Sequence, residues 1–361
     1  MDCGRRTGAV CTPDGQWVRF HLVLSHRFSE RSRWASAHPR RRRSVHSRRG
    51  AGLGAAASPH ATRLDGDDRY GTAVAVSRWA WSTTVPTVYL ASGESFPDAL
   101  SAGPAAAHAG GPLLLTPRSG LPAVVADEIR RLAPRAVVVV GGPAAVSDDV
   151  LRQVRAIGPD VVRVSGSDRY ATSREVFAHE FTGFCDRFFV ATGRNWPDAL
   201  ALGRLSAAGK DPLLLVDGSA PGIDAATSQF LDRSGCETFE IGGGVNAVSA
   251  GVEADLQHRT PSVRRIAGAD RYETAVATNN LLTVGKRIFV VSAANFPDAL
   301  AASAEAGYIG SGLVLVTPQD IPTATRNFLS EQDPEEVMLV GGPSAVGWSI
   351  ENQLRCGSSL C

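Results

Sequence analysis

The stretch RFFVATGRNWPDALALGRLSAAGKDPLLLV (187–216) contains a short apolar run, an Ala/Leu-rich run with helical spacing, and a second short apolar run. The same alternation continues in GIDAATSQFLDR (222–233), TFEIG (238–242), a helical pattern from about Ala247 to Gln257, and VRRIAG (263–268). Apolar strands separated by helices are typical of a parallel sheet covered on both faces. The segment therefore predicts a small α/β unit of about four parallel strands.

This unit occurs three times in the chain. Four short motifs recur in the same order about every hundred residues. The first two are DRY, at 68–70, 168–170 and 270–272, and the PDAL motif, as SFPDAL (95–100), NWPDAL (195–200) and NFPDAL (295–300). The other two are apolar runs beginning at 112, 212 and 313, and double glycines at 141–142, 243–244 and 341–342. A fixed period of this kind indicates a repeat architecture. We therefore divide the chain into a leading segment (1–60), repeat 1 (61–162), repeat 2 (163–264) and repeat 3 (265–361).

The charge distribution separates the leading segment from the repeats. The whole chain has a formal net charge of +1, but residues 1–60 hold 12 Arg against 3 acidic residues. The repeats therefore hold 25 basic and 33 acidic residues, a net charge of −8. A nucleic-acid binder would need basic groups to contact phosphates, so this class is disfavoured. No apolar run approaches the roughly 20 residues of a membrane span.

The leading segment has two interpretations. Its arginine cluster PRRRRSVHSRR (39–49) is compatible with a solvated, disordered tail. The arginines also precede GAGLGAAASPHA (50–61), whose small residues suit an export cleavage site, although no strongly apolar stretch lies between them. The second interpretation is a defective or misassigned export signal. Neither interpretation makes residues 1–60 part of the repeat fold.

Two of the recurring motifs lie where helices are predicted to begin. Ser95, Asn195 and Asn295 are candidate N-caps before the prolines of the PDAL motif, whose aspartates Asp98, Asp198 and Asp298 fall in the first turn. Asp68, Asp168 and Asp270 are candidate N-caps for the DRY helices, and Glu273 would complete a capping box in repeat 3. Capping alone does not explain why Arg69, Arg169 and Arg271 or Tyr70, Tyr170 and Tyr272 also recur.

At these residues the chain resembles the cell wall binding repeat 2 family of Gram-positive surface proteins. The resemblance rests on R-x-x-G-x-D-R-Y (63–70, 163–170, 265–272), F/W-P-D-A-L, the PLLL-type strand and GGPAAVS (141–147) with its relatives. It covers residues 61–361. It implies three Rossmann-like or flavodoxin-like modules with small parallel sheets, arranged around a pseudo-threefold axis in a monomer.

The resemblance also implies a function. We expect a non-catalytic, secreted protein of the cell wall or cell surface that attaches non-covalently to an anionic secondary polymer or to peptidoglycan. No cofactor, metal, nucleic acid or membrane span is expected. Two alternatives remain: a cell-wall hydrolase of the N-acetylmuramoyl-L-alanine amidase type, or its modifier, and a structural surface-layer component.

The sequence offers little support for catalysis. The repeats contain only His108, His179 and His258, at positions that do not recur, whereas a zinc amidase needs three protein ligands. Neither a G-x-S-x-G elbow nor a G-x-G-x-x-G fingerprint occurs. Asp98 and Asp68 would serve a glycosidase only if they lay within about 5–9.5 Å of each other. We therefore predict no catalytic residues.

Binding is predicted at the strand ends, where parallel α/β sheets place ligands. The arginines of the DRY motifs either hold an anionic group of the polymer or pair with an aspartate to lock adjacent repeats together. Helix N-terminal amides following the double glycines are a second candidate for anion binding. These glycines are Gly141, Gly142, Gly243, Gly244, Gly341 and Gly342. Because Ala293 replaces the glycine found at 93 and 193, we expect the three clefts to differ in strength.

The six cysteines suit an oxidising compartment better than a metal site, since no C-x-x-C occurs. Cys185 and Cys236 each precede a predicted strand of repeat 2, and they can form a disulfide if those strands are neighbours. Cys356 and Cys361 can close a small C-terminal loop. Free thiols are the alternative.

Overall fold

The structure is a computed structural model that describes residues 59–181 and 186–355, together with two short strands nearer the N-terminus. Those strands, β1 (Val10–Cys11) and β2 (Trp17–Val18), pair antiparallel. The chain divides into two compact units, Met1–Ala55 and Ala56–Cys361. The second unit contains all three repeats. The tail and export-signal interpretations concern residues that lie almost entirely outside the described ones.

Each repeat contains four strands that alternate with four helices. Repeat 1 consists of β3 (His60–Leu64), α1 (Arg69–Ala80), β4 (Thr87–Ser92), α2 (Pro97–Ala109), β5 (Leu113–Thr116), α3 (Ala123–Leu132), β6 (Ala136–Val140) and α4 (Asp148–Arg155). Repeat 2 consists of β7 (Asp160–Val164), α5 (Arg169–Glu180), β8 (Arg187–Thr192), α6 (Pro197–Gly209), β9 (Leu213–Val216), α7 (Ala225–Ser234), β10 (Thr238–Gly242) and α8 (Ala250–Gln257). Repeat 3 consists of β11 (Val263–Ile266), α9 (Arg271–Asn279), β12 (Arg287–Ser292), α10 (Pro297–Tyr308), β13 (Gly312–Val316), α11 (Thr323–Gln332), β14 (Glu336–Val340) and α12 (Trp348–Arg355).

These strands form three four-stranded parallel sheets, which confirms the predicted α/β class. The strand orders are β5-β4-β6-β7, β9-β8-β10-β11 and β13-β12-β14-β3. Each sheet therefore takes its outer strand from the start of the following repeat, and the third sheet takes it from repeat 1. In that third sheet Val340 is in register with Leu64, and Leu339 with Arg63. The first strand of repeat 1 thus pairs with the last strand of repeat 3, so repeat 3 is joined to repeat 1 as each of the other repeats is joined to the next.

The three repeats share one core. A single cluster of buried apolar side chains draws on all of them, and the helices α2, α6 and α10 lie within it and pack on one another. Separate clusters fill the outer side of each sheet. Because burial of apolar surface is the main driving force of folding, the shared cluster ties the stability of the repeats together. No helix among the described residues is long and apolar enough to span a membrane.

The predicted caps of the PDAL helices are wrong. The helices begin at Pro97, Pro197 and Pro297, and their N-cap residues are Phe96, Trp196 and Phe296, which form no side-chain cap bond. The proline fixes the first helical position, so the cap falls on the aromatic residue one place later than expected. Asn195 and Asn295 instead accept the backbone N–H of the next residue, at 2.9 and 3.0 Å.

Candidate functional site

The recurring motifs meet where one repeat contacts the next. The PDAL helices α2, α6 and α10 pack against the DRY helices α5, α9 and α1 of the following repeat. We call these surfaces junction 1–2, junction 2–3 and junction 3–1. Both motifs lie just beyond the carboxyl ends of parallel strands, as the sequence predicted. The candidate site is therefore a surface between repeats, present three times.

The DRY aspartates cap their helices, which confirms the cap prediction. The Oδ1 atom of Asp68 accepts the N–H groups of Tyr70 and Gly71 at 2.9 and 2.8 Å, and Asp168 and Asp270 do the same in their repeats. Glu273 does not form the predicted capping box, because it accepts the N–H of Ala269, one residue before the cap. The DRY helix therefore starts at the same place in all three repeats.

The PDAL aspartates point across the junctions. Burial raises the pKa of Asp98, whereas the charge of Arg169 and a hydrogen bond from the Thr172 hydroxyl lower it. Asp198 faces Thr274 and Arg271 in the same manner, and burial again raises its pKa. Half-buried carboxylates from one repeat thus face an arginine and a threonine of the next.

Junction 3–1 repeats this arrangement with more negative charge. Burial raises the pKa of Asp298, the Thr72 hydroxyl and Arg69 lower it, and the charges of Asp65 and Asp68 raise it further. A cleft of about 370 Å³ opens here between the start of α1 and the ends of the repeat 3 strands. Its lining includes Asp67, Asp68, Arg69 and Asp298. Repeats 2 and 3 have Ser167 and Ala269 where this cleft has Asp67, so junction 3–1 is the most acidic of the three.

The threonine of each junction was missed by the sequence analysis. The buried Thr72, Thr172 and Thr274 each accept the N–H of a loop glycine, at 3.3, 3.1 and 3.1 Å, and donate to the aspartate of the preceding repeat. The sequence feature that could have identified these threonines is their constant position, two residues after the DRY tyrosine in every repeat. A threonine inside a helix gives no hint of a partner on another helix.

The DRY arginines are anchored at one nitrogen. Arg69 and Arg169 each donate from Nη1 to the carbonyl of Gly93 or Gly193 at 2.6 Å. Arg271 forms the equivalent bond to the Ala293 carbonyl, no other hydrogen bond to the three arginines occurs among the described residues, and none of them forms an ion pair within 4 Å there. Arg169 and Arg271 are exposed, and Arg69 is half-buried. Apart from that one bond, each guanidinium group lacks a polar protein partner among the described residues, and the aspartate of the preceding repeat lies nearby.

Repeat 3 differs at the residue that this anchor uses. A Cβ atom built on Gly93 would lie 2.7 Å from Tyr70 Cε1 and 3.2 Å from Arg69 Cδ. Ala293 carries that atom, and the bond from Arg271 to its carbonyl lengthens to 3.1 Å. The substitution therefore loosens the third arginine, in line with the expectation that the three clefts are unequal.

The double glycines do not begin a helix, which corrects their assignment to helix N-termini. The helices α4 and α8 start only after a turn, at N-caps Ser147 and Ser249. The N–H of the first glycine continues the sheet by bonding the outer strand, as Gly341 does to the Leu64 carbonyl at 2.9 Å. Gly141, Gly243 and Gly341 have positive φ, and a Cβ atom there would lie about 2.6 Å from the PDAL aspartate Oδ2. The glycine is needed for this close approach.

A second set of arginines holds these glycine turns. Arg63 donates to the carbonyls of Gly341 and Val346, both at 2.8 Å, and pairs with Glu351 at 3.0 Å. Arg163 and Arg265 bond the carbonyls of Gly141 and Gly243 at 2.6 and 2.7 Å. These arginines open the R-x-x-G-x-D-R-Y motif. The motif therefore contacts the previous repeat at both of its ends: its first arginine bonds the glycine turn of that repeat, and its DRY end faces the PDAL aspartate of that repeat.

The outer ends of the junctions are not equivalent. At junction 3–1 the Trp81 indole N–H donates to the buried Glu305 at 2.9 Å, and its ring lies 4.4 Å from that of Tyr308. Burial raises the pKa of Glu305 to about 8. At junction 1–2 Glu180 instead accepts from Tyr89 at 2.5 Å and contacts His108 at 2.8 Å.

The residues considered for catalysis are dispersed. Asp98 faces repeat 2, whereas Asp68 lies near Asp298, so the structure does not bring Asp98 and Asp68 together as an acid–base pair. His108 contacts Glu180 and lies 4.7 Å from the Phe181 ring. Among the described residues no group of three or more His, Cys, Asp or Glu side chains is placed to hold a metal ion.

Only Cys236 of the cysteines named for disulfides lies among the described residues, so its predicted pairing with Cys185 stays a prediction. Cys236 is disulfide-bonded and precedes β10, whose neighbour in the sheet is β8, so the predicted strand adjacency is confirmed. Cys185, Cys356 and Cys361 lie outside the described residues.

The chain belongs to the Cell wall binding domain 2 (CWB2) family, whose model matches residues 63–151, 163–253 and 265–351. This family indicates cell wall binding and a location at the cell wall or cell surface. Among curated proteins, the chain is 29% identical over 296 residues to the N-acetylmuramoyl-L-alanine amidase LytC of Bacillus subtilis, covering 81% of this chain and 58% of LytC. It is 28% identical over 293 residues to the amidase enhancer of the same organism, covering 81% and 40%.

Two solved structures share the fold. Cwp8 from Clostridium difficile matches with a TM-score of 0.72 and 25% identity, covering 82% of this chain and 52% of that one. Cwp6 from the same organism matches with a TM-score of 0.72 and 22% identity, covering 79% and 46%. The chain thus spans about half the length of the relatives that it matches.

Proposed function

We propose that this protein is a non-catalytic, exported cell-wall anchor that binds an anionic secondary wall polymer through the arginines of its three junctions. The observation that carries the proposal is that Arg69, Arg169 and Arg271 are each fixed by a single bond to a strand-end carbonyl and form no other hydrogen bond or ion pair among the described residues. A guanidinium held in this way offers paired N–H donors to a phosphate or carboxylate. The cyclic recurrence of the contacts supports a monomer with internal pseudo-threefold symmetry.

The net charge of the repeats sets a condition on this binding. With 33 acidic and 25 basic residues, the repeats do not attract a polyanion over long distances. Capture therefore depends on local contacts, and added salt should weaken it as salt weakens other exposed charge pairs.

The amidase-related alternative rests on the names of the curated relatives. The aligned part of LytC is 58% of that protein, and the three family matches account for most of residues 63–351 of this chain. We attribute the similarity to shared wall-binding repeats. The alternative is therefore placed second, and the same experiment tests it.

The test is co-sedimentation of the full chain with purified Gram-positive sacculi, before and after acid extraction of secondary polymers, with released sugars and amino groups assayed. Binding that is lost on extraction, with nothing released, is the expected result. Release of wall fragments would identify a hydrolase instead. Self-assembly of the chain without added wall would indicate a surface-layer component.

Matched variants separate specific contacts from net charge. The triple change Arg69→Gln, Arg169→Gln and Arg271→Gln should abolish sedimentation. A control triple removes equal charge from the outer helices α3, α7 and α11, at the exposed Arg130, Arg233 and Arg326. A second control, replacement of Arg40 to Arg43 by Gln, tests the arginine cluster of the leading segment. Equal losses in all three variants would mean that binding is unspecific charge attraction.

A further inference from the structure

The aromatic residues of the three PDAL motifs converge at the middle of the repeat unit. Phe96, Trp196 and Phe296 are the N-cap residues of the three helices that pack on one another, and each is half-buried against the shared core. The rings of Phe96 and Phe296 lie 5.7 Å apart at an interplanar angle of 67°. The exposed parts of Phe96 and Phe296 therefore belong to one continuous surface, although the residues come from different repeats, and Trp196 occupies the equivalent N-cap position of α6.

Arg169, one of the three equivalent DRY arginines, borders the same surface. The guanidinium carbon of Arg169 in repeat 2 lies 5.9 Å above the ring of Phe96 in repeat 1. Tyr70, Tyr170 and Tyr272, which follow the arginines in the chain, also pack against the shared core. We name Phe96, Trp196 and Phe296 with Arg69, Arg169 and Arg271 the central surface. Each repeat supplies one aromatic ring and one cation to it.

This combination matches one kind of ligand. The C–H faces of sugar rings are apolar and pack on aromatic rings, whereas the acidic groups of the same polymer need a guanidinium or another cation. An aromatic ring flanked by arginine therefore fits an acidic saccharide better than it fits a neutral glycan or an inorganic anion. The positive charge of Arg169 lies close to the ring of Phe96, within reach of acidic substituents on a sugar that packs against the neighbouring rings.

We infer that the three repeats build one composite site on the central surface, which holds a single strand of acidic polysaccharide, rather than three independent binding clefts. This inference rests on the proposed function and specifies its ligand class and stoichiometry. It explains why three copies are kept together around one core, because no single repeat provides more than a third of the site. It also assigns Phe96, Trp196 and Phe296 a contact with the ligand.

The first test is the stoichiometry of the unmodified full chain. The probe is acid-extracted wall polymer, size-fractionated to short fragments, titrated by calorimetry. A composite site predicts one fragment per chain. Three fragments per chain would overturn the inference while leaving the proposed function intact. Absence of any binding would overturn both.

Single arginine variants give a second test. In a composite site, Arg69→Gln, Arg169→Gln or Arg271→Gln should each weaken the whole interaction by about tenfold or more, because one charge-assisted contact is lost from the only site. With independent clefts, each variant would instead reduce the number of fragments from three to two and leave the affinity of the remaining sites unchanged. The Arg130→Gln variant is the folding and charge control.

Tryptophan fluorescence locates the ligand. Trp196→Phe keeps an aromatic ring and copies the residue of repeats 1 and 3, so it should fold normally. It should remove the change in tryptophan emission that fragment binding causes in the unmodified chain. Trp348, which is 59% exposed, is the control: Trp348→Phe should keep that change. An emission change that survives Trp196→Phe would place the polymer away from the central surface.

Discussion

At the scale of single residues, the clearest link between repeats is the junction threonine. Its hydroxyl accepts a loop N–H of its own repeat and donates to the aspartate of the preceding repeat, so it is satisfied in both directions. The same aspartate also faces the first residue of the double glycine in its own repeat, which has a positive φ. Three residue types that are far apart in the sequence therefore depend on one another.

Replacing Thr172 by valine should destabilise the protein by about 1–3 kcal/mol, because the Asp98 carboxylate and the Gly166 N–H would lose a partner in a buried place. Urea unfolding of the full chain measures the change. Thr84→Val, at an exposed position, is the control and should be nearly neutral. A Thr172→Val protein as stable as the control would mean that the hydroxyl contributes nothing across the junction.

Arg204 is a buried cation without a full set of partners. It is 1% exposed and donates from Nε to the Ser311 carbonyl at 2.7 Å, while its Nη1 and Nη2 atoms have no hydrogen-bond partner among the described residues. Burial lowers the pKa of Arg204 to about 10. Because an uncompensated buried charge is costly, Arg204→Met should stabilise the fold by about 1–3 kcal/mol. A lower melting temperature in this variant would contradict the expectation.

Glu305 should make stability depend on pH. Burial raises its folded-state pKa from 4.5 to about 8, so the folded protein keeps a proton that the unfolded chain releases above pH 4.5. The stabilisation is complete below about pH 4.5 and is lost as pH rises through about 8. At about 1.4 kcal/mol per pKa unit the upper limit is about 5 kcal/mol.

Denaturant titrations between pH 4.5 and 9 measure this effect. Glu305→Gln should flatten the profile, because an amide cannot ionise, and Glu331→Gln at an exposed site should leave it unchanged. Trp81 fluorescence reports the same event locally, since its indole N–H bonds Glu305. Identical pH profiles for the Glu305→Gln protein and the unmodified chain would contradict the assignment.

At the scale of elements, the sequence predicts the alternation of strands and helices but not their partners. The pattern of 187–268 gives the four strands of the second sheet, β8, β9, β10 and β11, nearly as the structure has them. It cannot tell that β3 pairs with β14, because a periodic pattern looks the same whether the outer strand joins its own repeat or the previous one. The caps predicted for the PDAL helices were wrong for a local reason: the proline fixes the first helical position, so the cap falls on the aromatic residue rather than on the polar residue before it.

Arg63 stabilises the pairing of β3 with β14, and its loss should affect the sheet of repeat 3, to which β3 belongs, rather than the sheet of repeat 1. Arg63→Met removes bonds to two carbonyls and to Glu351, and should cost about 2–4 kcal/mol. Hydrogen exchange should accelerate in β3 and β14, while the amides of β6 keep their protection. Faster exchange in β6 alone would contradict the observed strand order. Arg130→Met, at an exposed position, serves as the control.

At the scale of the whole molecule, the sequence accounts for the number of repeats and their α/β class, whereas the role of the DRY arginines stays a prediction. The sequence does not reveal which repeat each arginine serves. Arg69 belongs to α1 yet faces Asp298 of repeat 3, since the chain returns on itself. Contacts of this kind depend on the pairing of repeat 3 with repeat 1. No local sequence pattern predicts that pairing.

Because one core is shared, the repeats should unfold together. Leu200 of repeat 2 is 1% exposed within the shared cluster, and Leu200→Ala should cost about 2–5 kcal/mol through lost burial and a cavity. In denaturant, amides of β4, β8 and β12 should lose protection at one common, lowered midpoint. Leu256→Ala, in the outer cluster of repeat 2, provides the comparison, since its cavity lies away from the other repeats. If Leu200→Ala lowered the midpoint of β8 alone, the repeats would be independent domains, and a binding surface built from all three would lose its structural basis.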